Sequence, residues 1–325
     1  MIKRGITRPS KKANLGTLIA LFALLVLFVF AAPAFFKSDN ILNMFRSLST
    51  NMLLTLGVTM CLLIGGTDLS IGQSVALCNI CAAILIIRSV PWYFASLAAI
   101  SLGTFLGAIN GVIIAYANVP PFIQTLAMKV ILEGLSYIIG NAETLMITES
   151  DFSIIGNGSV FGFIPIPTII MFAVAGIFAV IASKTSFGGK MFAIGGNLNA
   201  AKYSGINIRR VQIICYALSG MTAGLAGTIT LARLLGGQPD IGSGKELTAI
   251  ASAVIGGVSF AGGKGTIGGA VFGAIFIGCL LNGLNVWGLN TYWQDIVTGF
   301  VLLAALLFNF ISDRIKGKNP SGMRV

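Results

Sequence analysis

The chain has 325 residues, of which 56% are hydrophobic and 10% charged, with a mean hydropathy of +0.92 and a formal net charge of +11. Soluble domains carry about 25% charged residues, so a soluble globular fold is excluded. The absence of histidine also removes His-dependent catalytic triads and His-based metal sites.

From the N-terminus, Lys3, Arg4, Arg8, Lys11 and Lys12 precede a run without charge from Leu15 to Phe36. "AAPA" at 31–34 imitates a signal-peptide cleavage site. The run is longer than the roughly 7–15 residues of a signal core, so it reads as an uncleaved first span. About 20 apolar residues cross a bilayer core, and the runs predict ten spans. They lie at about 15–36, 48–64, 72–87, 92–116, 122–140, 166–183, 211–232, 248–260, 267–284 and 292–311. The eighth is short. Asn141 to Pro165 reads as an external irregular loop with a short helix. The fold class is an all-α polytopic membrane protein in a single transmembrane domain.

Basic residues set the orientation. Beyond the five at the N-terminus, Lys184, Lys190, Lys202, Arg209 and Arg210 lie between spans six and seven. Arg314, Lys316, Lys318 and Arg324 follow span ten, and Lys264 falls on the same side. Lys37, Arg46, Arg88, Arg233 and Lys245 fall on the other, and Lys129 is inside a span. The richer side is cytoplasmic by the positive-inside rule, which puts both termini there. Asp39, Glu143, Glu149, Asp151, Asp240 and Glu246 map outside. The excess charge lies in short clusters between spans, with no aromatic-interleaved patch, so it implies lipid and topology rather than nucleic acid.

Two elements recur. "LIGGTDLSIGQ" at 63–73 aligns with "LLGGQPDIGSG" at 234–244, matching Gly65, Gly66 and Asp68 to Gly236, Gly237 and Asp240. "NGVIIAYANVPPFIQ" begins at Asn110 and ends at Gln124, and "NGLNVWGLNTYWQ" begins at Asn282, 172 residues on. The copies fall on opposite sides of the membrane, as an inverted-topology repeat requires. It spans about 48–140 and 211–311. Asn110, Gln124 and Asn282 are candidate pathway residues. At the first break Gly65-Gly66 ends span two as a C-cap, and Asp68 or Ser70 caps the next helix. The competing reading makes Asp68 an intramembrane proton or cation relay.

Lys129 and Glu133 stand one turn apart in span five, where an i, i+4 couple neutralises itself or serves as a gating element. "GGVSFAGGKGT" at 256–266 is not a nucleotide loop, because Val258 stands where a Walker A needs glycine and Gly265 follows the lysine. The cysteines Cys61, Cys78, Cys81, Cys215 and Cys279 sit in apolar runs without ligand spacing and read as free thiols. No cofactor or metal is expected.

"LIGGTDLSIGQSVAL", "TSFGGKMFAIGGNLNAAKYSGI" at 185–206 and "GSGKELTAIASAVIGGVSFAGGKGTIGGAVFGA" at 242–274 resemble the permease subunits of bacterial ribose-type ABC sugar importers. The Asn282 element and "WQDIVTGFVLLAA" at 293–305 are similar too, so the resemblance runs from about 40 to 312. Thr67 stands where the family commonly has Ile. The resemblance implies an inner-membrane permease without its own nucleotide site. Its partners would be a cytoplasmic ATPase, an external sugar-binding protein and a second permease, identical or similar. Residues 184–210 would be the coupling loop, with Phe187, Gly188, Lys190, Gly195, Gly196, Asn197, Ala201, Lys202 and Gly205 as its elements. "NAAKYSGI" reads as a short helix capped by Asn197 or Asn199, with "GGN" as the preceding turn. The tails, 1–14 and 312–325, would be cytoplasmic. A secondary transporter using Asp68 or Lys129–Glu133 to bind a coupling ion is the alternative; an intramembrane enzyme lacks the residue cluster it needs.

Overall fold

The computed structural model describes residues 11–148 and 151–315. Glu149 and the basic residues Lys3, Arg4, Arg8, Lys316, Lys318 and Arg324 lie outside the described residues. The helices run in the order α1 (Lys11–Ala31), α2 (Ser38–Leu63), α3 (Ile71–Ile87), α4 (Trp92–Ala117), α5 (Pro121–Ile139), α6 (Ser153–Asn157) and α7 (Ile166–Lys184). They continue as α8 (Ser186–Gly196), α9 (Leu198–Tyr203), α10 (Ile208–Leu234), α11 (Lys245–Ile255), α12 (Ile267–Val286) and α13 (Thr291–Ile315). Four two-residue strands complete the described chain. β1 (Leu145–Met146) pairs antiparallel with β4 (Gly236–Gly237), and β2 (Ser159–Val160) with β3 (Ile164–Pro165). The fold is all-α, and it carries several helices of membrane-spanning character.

Five of the described helices, α4, α5, α7, α10 and α12, are long and apolar enough to cross a bilayer. Shorter apolar helical stretches are Leu21–Ala31, α3 and Thr291–Leu307. Two expected limits change. The first helix stops at Ala31, because Pro33 opens a 3-10 turn to Phe36, and α2 starts at Ser38, well before 48. The eighth expected span is not a crossing helix. α11 has 11 residues, about 16 Å at 1.5 Å per residue, against a hydrocarbon core of roughly 30 Å.

α2 forms the axis of the bundle. From Leu48 to Leu63 every residue is buried except Asn51. α10 packs against α2, α3 and α4. Its contact with α4 is made by small residues: Gly103 and Gly107 lie against the backbone of Gly220 and Tyr216, and Gly224 lies against Ala99 and Ile100. Small residues four apart let two backbones touch, which replaces the hydrophobic drive that lipid removes. α3 packs against α4, α5 and α10, and α11 packs against α12, α13 and α2. The five cysteines are free, with Cys81 half-buried and the others buried.

Candidate functional site

The break between α2 and α3 is built from its sequence upward. α2 closes with the Gly65 N–H donating to the Leu62 carbonyl (2.9 Å) and the Gly66 N–H to that of Cys61 (3.0 Å). Gly65 sits at φ +80, the left-handed position that glycine enters without a Cβ penalty. Gly66 serves a different need, since a Cβ there would stand 2.5 Å from the Tyr216 hydroxyl. That hydroxyl donates to the Thr67 carbonyl at 3.1 Å.

Asp68 is 1% exposed and its carboxylate is saturated by donors. Oδ1 accepts from the Ser70 N–H (3.0 Å) and hydroxyl (2.7 Å), and Oδ2 from the Ser219 hydroxyl on α10 (2.7 Å). Asp68 therefore makes an Asx-type turn that fixes the residue before α3, rather than accepting from the free N–H groups inside that helix. Ser70, at the N-cap position, makes no side-chain cap bond. Its hydroxyl instead accepts from Asn110 Nδ2 (2.8 Å), and Asn110 Oδ1 accepts from Gln124 Nε2 (3.3 Å). Three elements distant in sequence, 67–70, Asn110 and Gln124, thus form one chain of hydrogen bonds.

The second copy is put together differently. Gly236 and Gly237 do not cap a helix. They form β4 against β1, and the left-handed residue at the end of α10 is Leu235, at φ +51. Gly237 lies against the Ala83 side chain of α3, and Asn79 Oδ1 accepts from the Gln238 N–H at 2.8 Å. Asp240 is exposed, unlike Asp68. Asn282 exchanges amide hydrogen bonds with Asn40 at the start of α2, at 2.8 and 3.2 Å. The two breaks meet where Gly72 and Gly242 touch through their backbones, beside Glu246.

Lys129 does not pair with Glu133. Its ammonium forms an ion pair with Glu246 of α11, a residue only 1% exposed. The sequence expectation placed Glu246 in an external segment. The short α11 instead inserts its first turn into the bundle and carries the carboxylate to α5.

Between α7 and α10 the chain folds into α8 and α9. The Thr185 hydroxyl caps α8 by accepting from the Gly188 N–H (3.3 Å), and Asn197 caps α9 by accepting from the Ala200 N–H (2.9 Å). Phe187 packs on the core, Gly188 lies against the end of α7, and Ala201 is buried. Lys190, Lys202 and Gly205 are exposed, with Gly205 at φ +74. Gly195 and Gly196 do not form a positive-φ turn; they complete the last turn of α8. Gly195 is required by close approach, because a Cβ there would strike the Leu63 carbonyl and the Gly263 nitrogen. The same Leu63 carbonyl accepts from the Gly263 N–H at 3.0 Å. The end of α8, the end of α2 and the α11–α12 loop therefore meet at one backbone junction, two residues before Gly65.

Residues 40–306 match the family described as branched-chain amino acid transport system / permease component. The chain belongs to this permease family. It is 40% identical to the ribose import permease protein RbsC of Bacillus subtilis (strain 168) over 91% of this chain and 92% of that protein. It is 37% identical to the D-allose transport system permease protein AlsC of Escherichia coli (strain K12), over 90% of each. It is also 35% identical to the galactose/methyl galactoside import permease protein MglC of Salmonella typhimurium, over 90% of this chain and 92% of that one. No solved structure matches it. The permease is thus a multi-pass membrane subunit of a transport system rather than an enzyme.

Several residues of the permease site were not legible as such. Ser219 and Tyr216 bind the first break, yet in sequence they are ordinary residues of an apolar helix. Asn79 clamps the second break from mid-α3. Glu246 had one available signal, as a lone acid at the head of "ELTAIASAVI".

Proposed function

We propose that this permease passes a small neutral sugar from an external binding protein to the cytoplasm. The system is an ABC importer of the inner membrane, powered by a separate ATPase. Relatives named for ribose, allose and galactose support the sugar class. Both termini lie in the cytoplasm, and two permease copies, identical or similar, form the pathway amid the lipid. The two halves are an inverted repeat. Its support is the packing of α3 on α4, α5 and α10, matched by that of α11 on α12, α13 and α2.

The observation that carries the mechanism is the Gly195 junction. α9 and the end of α8 stand exposed, with Leu198, Lys202 and Tyr203 on the surface, and they suit docking into a cleft of the ATPase. When the ATPase closes, α8 moves as a rigid body. Its contact with the Leu63 carbonyl and Gly263 carries that displacement to the Gly65–Ser70 break. The hydrogen-bond chain from Asp68 to Gln124 then joins α3, α4 and α5 to the movement. The arrangement converts closure of a partner into displacement of short buried helices. Reconstitution with the co-purifying ATPase and binding protein tests this reading, with D-ribose, D-allose and D-galactose as probes. Uptake is expected to need both partners and ATP. Uptake driven by a proton or sodium gradient alone would replace it with a secondary transporter.

A further inference from the structure

α4 and α10 pack as one antiparallel seam. Gly107 lies against the backbone of Tyr216, and Gly111 against that of Ile213. Continued to the end of α4, the same register brings Tyr116 beside Arg209, whose guanidinium carbon stands 4.7 Å from the ring centroid. We propose that this end of the seam binds the phosphate headgroup of an anionic phospholipid, with Arg209 and Arg210 as its cationic ligands. The leaflet is the cytoplasmic one, which rests on the orientation proposed above.

The surface beneath the arginines fits acyl chains. Phe105, Val112 and Tyr116 of α4 are exposed, and at about 100° per residue they share one face to within about 40°. On α10, Ile214 is exposed one turn from Arg210. The two helices run in opposite directions, so Val112 and Ile214 both lie about one turn deeper than the pair of Tyr116 and Arg209. The trough is therefore apolar along its length and aromatic and cationic at its mouth. Tyrosine is enriched at such a boundary, because its ring suits the apolar side and its hydroxyl the headgroup layer.

Charge selects the headgroup. No acidic residue occurs from Leu69 to Leu132 or from Phe152 to Pro239, so neither helix brings a carboxylate to the mouth. Among the described residues neither arginine has an ion-pair partner. Two neighbouring cations repel each other, and a phosphate relieves that repulsion. The guanidinium fork also matches phosphate oxygens bidentately. The Tyr116 ring holds Arg209 beforehand, so less rotamer freedom is lost when the phosphate arrives. Basic pockets between transmembrane helices on the cytoplasmic side recognise headgroups in this way. α10 also carries Tyr216 and Ser219, which hold the Gly65–Ser70 break. A bound headgroup would brace the helix that anchors it.

The test offers the full-length permease phosphatidylglycerol and phosphatidylcholine in equal amounts in detergent, and reads the retained lipid by native mass spectrometry. The unaltered permease should retain phosphatidylglycerol preferentially. Arg209→Gln and Arg210→Gln should each cut that preference about fivefold, the scale of one cation at a membrane surface, and the double variant about 25-fold. Tyr116→Leu, which keeps apolar bulk, should cut it about twofold. Lys184→Gln removes the same charge from the exposed end of α7 and should leave the preference unchanged. No loss in the double variant, or an equal loss in Lys184→Gln, overturns the site. Adding the co-purifying ATPase should leave the preference in place. Its abolition by the ATPase would assign the arginines to protein docking and overturn the proposal. Should the double variant not fold, Val112→Cys labelled with bimane replaces it, with the labelled unaltered permease as control. Brominated phosphatidylglycerol should then quench the label more than brominated phosphatidylcholine, and equal quenching overturns the site. Failure of the orientation looks different: a cytoplasmic reporter fused after Asn197 would be silent while the preference persisted, overturning the leaflet and keeping the site.

Discussion

Lys129 of α5 and Glu246 of α11 close an ion pair across the permease, joining helices from the two halves of the chain. Glu246 is 1% exposed, while the Lys129 side chain is 26% exposed. Removing one partner of a buried pair leaves the other charge uncompensated, at a cost of about 3–5 kcal/mol. Lys129→Met is therefore expected to destabilise the purified permease by about 3 kcal/mol, read as a lowered melting temperature in detergent. The double variant Lys129→Met, Glu246→Leu should recover most of that loss. Glu133→Gln, which touches neither partner, should stay within about 0.5 kcal/mol of the unaltered protein. A Glu133 effect as large as that of Lys129 would restore the i, i+4 couple that the sequence suggests.

Asp68 offers a sharper contrast. Its two oxygens accept three hydrogen bonds, from the Ser70 N–H and hydroxyl and from Ser219. Asp68→Asn keeps one acceptor for Ser70, and the Ser219 hydroxyl can rotate to accept from the new amide. Transport should largely survive. Asp68→Leu strands all three donors, each costing about 1–3 kcal/mol when buried and unpaired, and folded protein should be lost from the membrane. Equal, complete loss of transport in a well-folded Asn variant would mean that the charge itself is needed.

How much of this was legible follows from the kind of signal each residue gives. Apolar runs are long-range and redundant, so the all-α membrane fold and most helices could be read directly. The break itself and its Gly65 end to α2 were legible because glycine between apolar runs has few other uses. α9 and its Asn197 cap were legible for the same local reason. The cap expected of Asp68 or Ser70 is not formed: Asp68 turns back onto Ser70 and reaches Ser219 on α10, a contact remote in sequence. The partner of Lys129 was not, because i, i+4 spacing is visible in sequence and a contact between α5 and α11 is not. The length of α11 was also hidden. Apolar residues continue past Ile255 to Val258 and Phe260, and only the Gly256-Gly257 turn against α12 ends the helix. Gly195 was read as a turn because "GG" commonly marks one, whereas its need for a bare Cα comes from Leu63 and Gly263, both remote in sequence.

Orientation has a direct test. A reporter active only in the cytoplasm should work when fused after Asn197, between α8 and α9. Fused after Asn157, at the end of α6, it should be silent. The two positions lie at opposite ends of α7, a helix of 19 residues, which at 1.5 Å per residue is about 28 Å long. Activity at both positions would mean that α7 does not cross, and the inverted repeat would fail with it.

The glycines at the end of α8 separate transmission from simple anchoring. Gly195 has no room for a Cβ, which would meet the Leu63 carbonyl and the Gly263 nitrogen. Gly196 has open space around its Cα and no positive φ. Alanine is the better helix former by roughly 1 kcal/mol, so Gly196→Ala should leave transport intact and stabilise α8 slightly. Gly195→Ala must push α8 away from α2 and the α11–α12 loop, and Gly195→Val must push it further. The helices of the bundle do not depend on that contact for insertion, so both variants should reach the membrane and bind the ATPase. Stimulation of ATP hydrolysis by the loaded binding protein should fall in the order glycine, alanine, valine, and transport should fall with it. The comparison is made in vesicles at matched permease content, with Gly196→Ala as the control for a change in α8 alone. Normal coupling in Gly195→Val would remove the junction from the mechanism and leave residues 184–210 as a basic tether that only fixes orientation.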